Sequence, residues 1–535
     1  MPSAPPSYNL FDEPWIPVRW IPHEDEHEDP SSDHTDLISA HPDEVGLREL
    51  LLRAHEIEQI AIAIPPALSA LYRVLYAMTA RMTGLDEAGR PGSWSRRRID
   101  LASQEQFDEQ QVTEFDERSH HRFDLFDPAR PFLQDPRLAE QCDPANTAGV
   151  DKLITTRPSG NNHSWFQHVN STTPDLPTPA QAALHLLVWH YYGPSGRCSS
   201  RTVGNTKAAN SAAGPLRSTL SYHPEGVTLF ESLLAGLPEP RREVRRDSDL
   251  CPWEREELPD PVAAPPPLKG PCSELTARSQ HALLLVPDAT GASVEDAFIT
   301  WAYRDKIPRE GDPYLIWQTS KDGNPYPRPA DSHRALWRDL DALLLKNPAG
   351  STQPRRPEVF FTALEVSEEL RVRALGFEQD GQAKDVQFVD AVTPPVLDLA
   401  EETKPAVAIE IGRLRMLGEQ YGNRLDRAVK KAWAGFTEAP KIRDCTWAVD
   451  AAARYWPAAE AEFWKCLNER DFDRAATAFR ILAEQAYDTV TYSALGTMRG
   501  AKACTTARIE LYGGPVKRPA KTAGTGGRTT STEDM

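Results

Sequence analysis

The spacing of apolar residues changes along the chain, and the changes mark its elements. After a Pro-Pro pair, Leu68, Leu71, Leu75 and Met78 recur at three- and four-residue intervals, which predicts a helix with one buried face. "DEVGLRELLLRAHEI" predicts an earlier helix capped by Asp43, and residues 179–192 predict a later one. Short apolar runs, "HALLLVP", "PYLIWQ" and "VFFTALEV", predict strands separated by irregular segments. "YNLFDEPWIPVRW" predicts an extended start, because Pro14 and Pro17 exclude a helix interior while Trp15, Ile16 and Val18 supply bulk.

Past Pro394–Pro395 the texture becomes helical. Leu414, Leu417, Tyr421, Leu425, Val429, Trp433 and Phe436 form one stripe at helical spacing. "DAAARYWPAAEAEFWKCL", "DRAATAFRILAEQAYDTV" and "GTMRGAKACTTARIEL" follow with short connections, which predicts an antiparallel four-helix bundle. Pro457 is expected to kink the second helix or mark its start. The expected class is therefore α+β. A large, mixed, loop-rich domain spans 1–398, a four-helix bundle spans 399–512, and a Gly/Thr-rich tail over 513–535 has little to bury and is expected to be disordered.

Composition narrows the function classes. A chain of 535 residues exceeds what one core usually serves, and 47 prolines stiffen stretches such as "LPDPVAAPPPLKGP". Seven scattered cysteines without a C-x-x-C pair argue against a disulfide framework or a thiolate zinc site, so a reducing cytoplasm is the expected compartment. No apolar run approaches membrane-spanning length, and "MPSAPPSYNLFDEPW" lacks the regions of a signal peptide. A net charge of -18 argues against a free-standing nucleic-acid binder, yet leaves room for a few local contacts inside an assembly. Charge is uneven: "HEDEHEDPSSDHTD" is acidic, whereas "SWSRRR" and "RLDRAVKKAW" are basic. His23, His27 and His34 within the acidic run read as a solvated turn rather than a metal site.

No phosphate-binding loop, dinucleotide fingerprint, H-E-x-x-H, G-x-S-x-G or zinc-deaminase pattern is present. Three segments carry the remaining chemistry. "RPSGNNHSWFQH" contains Ser159 and His163, which an undetected hydrolase would use. The same stretch offers Gly160, free of a Cβ, beside the hydrogen-bonding groups of Asn161, Asn162 and His163, a set suited to coarse reading of a duplex groove or to an ordinary turn. "ALGFEQDGQAKDVQF" predicts a hairpin whose tip carries Gly381 and Gln382, either as solvent-exposed decoration or as a wedge between base pairs. "FDLFDPARPFLQDPRL" holds Phe132, either buried or presented to a partner.

Together these segments resemble the large subunit of the type I-E CRISPR surveillance complex Cascade, the CasA family. "NLFDEPWIPVRW", "RPFLQ", "PSGNNHSWF", "GFEQDGQAK", "LGEQYGNRLDRAVKKAWAGF" and "YSALGTMRGAKACTTARIELY" follow the order of that family's motifs. The resemblance implies a non-catalytic subunit without a cofactor. Its partners would be the other Cascade subunits, the CRISPR guide RNA, duplex target DNA and a helicase-nuclease. It would read the protospacer-adjacent motif from the minor groove and help open the duplex.

By the same resemblance, Gly160 is the glycine-loop contact with Asn161, Asn162 and His163 beside it. Gln382 is the wedge next to Gly381. Lys306 in "AYRDKIPRE" stands for a family lysine that probes the groove, and Phe132 meets the guide and neighbouring subunits. Arg197, Arg201, Lys207, Arg217, Lys430 and Lys431 are candidates for DNA-backbone contacts, with a solubilising role as the alternative. Where some relatives carry Ala-Thr-Asn after the glycine, this chain has Asn161-Asn162-His163. It also lacks the cysteine cluster of some relatives, so no structural zinc carries over. A pure scaffold subunit is the remaining alternative.

Overall fold

The helix Pro65–Thr83 is buried over all but its last residue, and the N-terminal region is organised around it. Leu68, Leu71, Leu75 and Met78 are inside, as their spacing predicts, but so are Ser69, Arg73, Thr79 and Arg81. Burying arginine requires partners for its donors. Arg73 meets Asp312 at 3.0 Å and Ser221 Oγ at 3.0 Å, and its guanidinium lies 5.0 Å from the Tyr314 ring centre. Arg81 pairs with Asp86 and, at 2.7 Å, with Glu254. The computed structural model that supplies these distances describes residues 5–22, 42–157, 175–241, 244–308, 310–346, 354–380, 384–438 and 445–514. The acidic run with His23, His27 and His34, and the predicted tail from 515 onward, lie outside the described residues.

The sheets are small and antiparallel. Ile16–Trp20 lies between Glu44–Val45 and Ile57–Ile60. Arg371–Asp380 lies between Lys384–Val392 and Leu220–Glu225. Three two-stranded ribbons pair Gly196–Val203 with Thr206–Ser211, His281–Pro287 with Val294–Trp301, and Trp317–Thr319 with Pro325–Pro327. The helix Pro179–Tyr192 starts at the predicted residue, with a Thr178/Gln181 capping box.

Three local expectations change. Asp43 caps no helix; the helix Leu47–Leu52 begins after Gly46, and Glu44–Val45 is spent as an edge strand. "VFFTALEV" forms two 3₁₀ turns, Glu358–Phe361 and Ala363–Glu365, because Pro357 imposes a turn before the apolar pair can extend. In "PYLIWQ" only Trp317 and Gln318 enter a strand, since Tyr314 is held back by the Asp312 side chain.

The chain divides into two compact units, Met1–Gly412 and Arg413–Met535. In the second, the long helix Pro405–Thr437, which begins in the first unit, continues as one of four helices packed as a bundle with Thr446–Glu469, Ala475–Thr491 and Met498–Ala507. Leu414, Leu425 and Val429 of the predicted stripe are buried, and Trp433 packs on Trp447 at 5.2 Å. Pro457 sits inside the helix Thr446–Glu469, whose start lies at Thr446. Among the described residues no helix is long and apolar enough to cross a membrane, and no cluster of three metal-ligating side chains is present.

Candidate nucleic-acid interface

The predicted hairpin is present. Arg371–Asp380 and Lys384–Val392 run antiparallel with Phe377 opposite Phe388, and the register shifts between Glu378 and Gln379. Glu378 faces Gln387 and Gln379 faces Asp385, so Val386 is the extra residue of a bulge that bends the ribbon near its tip. The tip residues Gly381 and Gln382 lie outside the described residues.

The shaft is held by its neighbours. Gln379 Oε1 accepts from the Ser218 hydroxyl, and Glu378 Oε2 accepts from the Ser332 amide at 2.8 Å. The Ser332 hydroxyl, which donates to the same oxygen, and then the Ser332 amide hold the Glu378 carboxyl below its usual range. Arg217 Nη1 donates to the Tyr192 carbonyl at 3.0 Å, and its guanidinium lies 4.8 Å from the Phe377 ring centre.

Gly160, Asn161, Asn162 and His163, like Ser159, also lie outside the described residues, but the stem from which their segment departs is visible. Arg157 donates to the Asp175 carboxylate at 3.0 Å and to its carbonyl at 2.7 Å. Behind Arg157, the Thr155 amide donates to His185 Nδ1 at 3.3 Å. Burial, followed by the charge of Arg157, pushes the His185 imidazole down to about 4, which keeps its Nδ1 lone pair available. Lys152, earlier in the same stem, donates to the Arg197 carbonyl at 3.3 Å.

Lys306 is exposed at the rim of a cleft of about 550 Å³ shared with Ser195, Asn210, Ser211 and Pro215. No carboxylate pairs with it among the described residues. Arg304 stands beside it, donating to the Asn210 carbonyl at 3.1 Å and lying 5.1 Å from the Trp301 ring centre. Gln280 lines the same cleft, and its buried amide nitrogen finds no acceptor among the described residues. Arg278, also lining it, spends its donors on the carbonyls of Glu274, Pro308 and Glu310.

Segment 193–218 therefore touches three elements: the stem at 150–157 through Arg197, the Lys306 cleft through Asn210, and the hairpin through Arg217 and Ser218. Arg197 and Lys207 are exposed on its ribbon. Arg201 is not. It is 0% exposed, donating to Asp135 at 2.6 Å, Gln141 at 2.8 Å and the Trp301 carbonyl at 3.0 Å. Its place in the fold is an internal ion pair, out of reach of a DNA backbone. Phe132 is likewise 2% exposed, stacked 4.6 Å from Phe123 and 5.9 Å from Trp253, so its ring is part of the core and not presented to a partner. In the second unit Lys430 pairs with Asp426 at 2.8 Å and Lys431 with Glu510 at 2.7 Å.

Sequence reasoning passed over Arg157, Asp175, Arg304 and Gln280. Arg304 stood two residues from Lys306 in the quoted "AYRDKIPRE" and was the nearest signal; the Arg157–Asp175 pair had none, because nothing local joins residues so far apart.

Comparison with known proteins places these features. The profile of the CRISPR-associated protein Cse1 family matches residues 9–492. The CRISPR-associated protein CasA/Cse1 of Thermus thermophilus is 32% identical over 231 residues, 43% of this chain and 39% of that protein. The chain thus matches well under half the length of that curated relative. A chain of a solved CRISPR RNA-guided surveillance complex is 39% identical, with a TM-score of 0.83 over 95% of this chain and 100% of that one. A second such complex, in a pre-nicking state, gives 37% identity and a TM-score of 0.76 over 95% and 99%. Cse1 of Thermobifida fusca, at 19% identity and a TM-score of 0.71 over 95% and 98%, shares the fold.

Proposed function

This chain belongs to the CRISPR-associated Cse1 family, also called CasA, and from that premise we propose that it is the large, non-catalytic subunit of a type I-E RNA-guided surveillance complex. In this reading it inspects the protospacer-adjacent motif of duplex DNA from the minor groove and starts strand opening. It also offers a docking place to the helicase-nuclease. Guide RNA reads the sequence by base pairing, so the protein needs only local contacts, which reconciles a net charge of -18 with a DNA ligand.

The observation that carries the reading is the contact of segment 193–218 with the stem of the glycine loop, the Lys306 cleft and the shaft of the hairpin. Gly160, Asn161, Asn162 and His163 would lie against the groove, with Lys306 reaching into it. Gln382, beside Gly381, would press between base pairs as the duplex opens. A neutral amide does so without the desolvation cost of a charge. Arg197, Lys207 and Arg217 would follow the backbone, and Lys430 and Lys431 the displaced strand by exchanging their internal carboxylate partners for phosphates. Residues 1–398 would form the DNA-reading domain and 399–512 the bundle.

The test compares guide-loaded complex assembled with and without this chain, on duplexes with matched or scrambled flanking motifs. Preference for the matched motif should require the chain and be lost with Gly160→Ala and Gln382→Ala. A preference unchanged by both variants would remove these assignments. Assembly of the complex without any effect of the chain on DNA would favour a pure scaffold.

A further inference from the structure

A second recess in the first unit, a pocket of about 130 Å³, adjoins the Lys306 cleft, with Tyr303 lining both. Buried Trp253, Ala282 and Leu283 line it, with half-buried Leu133 beside them, and buried Gln134, Thr276 and His281 share the lining. Leu133 has a φ of 52°, a left-handed conformation that costs a leucine energy, and its carbonyl is held by His190 Nε2 at 2.8 Å.

Four half-buried arginines, Arg122, Arg130, Arg137 and Arg255, stand around the opening. Among the described residues Asp135 is the only carboxylate that lines it, and it is already shared by Arg137 at 2.8 Å and Arg201 at 2.6 Å. Burial disfavours its charge, but the hydrogen bonds and charges of those arginines outweigh burial and hold it below the usual range. Arg130 donates to the Arg255 carbonyl at 2.7 Å and to that of Glu256, not to an acid. Asp127 and Asp260 lie outside the lining. Among the described residues no carboxylate pairs with Arg122 or Arg255, and the buried Trp253 indole N–H has no acceptor. In an acidic protein, this is a rim of hydrogen-bond donors short of acceptors, around a recess of mixed apolar and polar lining.

From charge complementarity and depth, we infer that this pocket receives an acidic peptide segment of a partner protein, which inserts one apolar side chain and sets its flanking carboxylates against Arg122 and Arg255. The space suits a single ring or branched aliphatic group. A nucleotide is the competing occupant, and the titration includes one. Gln134 is already committed, donating to the Leu125 carbonyl at 2.9 Å and accepting from the Leu285 amide at 2.7 Å, which leaves the Trp253 N–H and His281 Nδ1 as the buried polar atoms of the lining without a partner among the described residues. The inference stands apart from the DNA-reading assignment, and its test contains no duplex.

The test is isothermal titration of the full chain with acetyl-Asp-Glu-Phe-Glu-Asp-amide, its Phe→Ala counterpart, acetyl-Lys-Lys-Phe-Lys-Lys-amide and a 5′-phosphorylated uridine dinucleotide. The acidic Phe peptide should bind at least about tenfold tighter than each of the others, given the usual worth of a buried ring. The pair Arg122→Gln and Arg255→Gln should weaken it by about tenfold or more, with the thermal unfolding midpoint unchanged. The peptide series on the unaltered chain stands even where the variants fold poorly. Equal binding of the Phe and Ala peptides, tighter binding of the dinucleotide, or no peptide binding at millimolar concentration would each overturn the inference.

Discussion

Arg157 and Asp175 meet at 3.0 Å and close the stem from which residues 158–174 depart. Arg157 is mostly buried and also reaches Asp151 at 3.7 Å, whereas the Asp175 side chain is 73% exposed. An ion pair with one exposed partner adds little to stability, so what it contributes is to fix residues 157 and 175 beside each other. Arg157→Ala should change the unfolding free energy by less than about 1 kcal/mol. Matched-motif binding by the assembled complex should weaken by about tenfold, through loss of preorganisation. Full binding affinity in that variant would show that motif binding does not depend on this pair.

The hairpin depends on Gly376. Its φ of +155° is one that side chains rarely allow, and a Cβ at this position would overlap the Thr219 carbonyl oxygen where the ribbon pairs with Leu220. Gly376→Ala should cost about 1–3 kcal/mol in urea unfolding and push the ribbon away from Ser218. Motif preference should fall with it, although the substituted residue is far from the tip. An unchanged unfolding curve would mean that the strand pair relaxes around the methyl group.

Acid should act on the same stem. The imidazoles of His185, His190 and His281 are each pushed down to about 4, chiefly by burial. In the unfolded chain they titrate near 6.5, so between about pH 6.5 and 4 the unfolded state binds protons that the folded state refuses. Stability is complete above that window and falls through it, each histidine adding a slope of up to about 1.4 kcal/mol per pH unit. His185→Asn preserves an acceptor for the Thr155 amide, its Oδ1 standing near the position of Nδ1, while removing the titration. Chemical denaturation at pH 7 and pH 5 should show a smaller difference for the variant than for the parent; equal differences would assign the acid response elsewhere.

Much of this arrangement was legible in the sequence, for reasons that particular residues make clear. The 3–4 spacing of Leu68, Leu71, Leu75 and Met78 and the Asp-Gly between two strand-like runs are local signals, and both elements formed. What local pattern cannot report is which polar residue faces inward. Arg201 sits in a ribbon with exposed Arg197 and Lys207, and acceptors distant in sequence, Asp135, Gln141 and the Trp301 carbonyl, draw it inside. Phe132 gave two readings from sequence, and its stack on Phe123 selects the buried one. Arg304, the partner of Lys306 at the cleft, depends on the carbonyl of Asn210, 94 residues earlier in the chain.

That pair of cations gives the most direct reading of how the protein would meet DNA. Lys306 is exposed with no carboxylate partner among the described residues, and Arg304 is held over Trp301 with donors to spare. If both meet phosphates, each neutralises one backbone charge and releases its condensed counterion. The salt dependence of complex binding to matched duplex should then lose about one unit of slope with Lys306→Ala and about two with the Lys306→Ala/Arg304→Ala pair. Contact with a base edge behaves differently: Lys306→Ala would relax discrimination between matched and scrambled motifs by about 1–3 kcal/mol per base pair. Measuring affinity for both duplexes across a salt series separates the two. A shallower slope with discrimination kept assigns Lys306 to the backbone; lost discrimination makes it a reader of the motif; a slope and discrimination both unchanged would place the DNA away from this cleft.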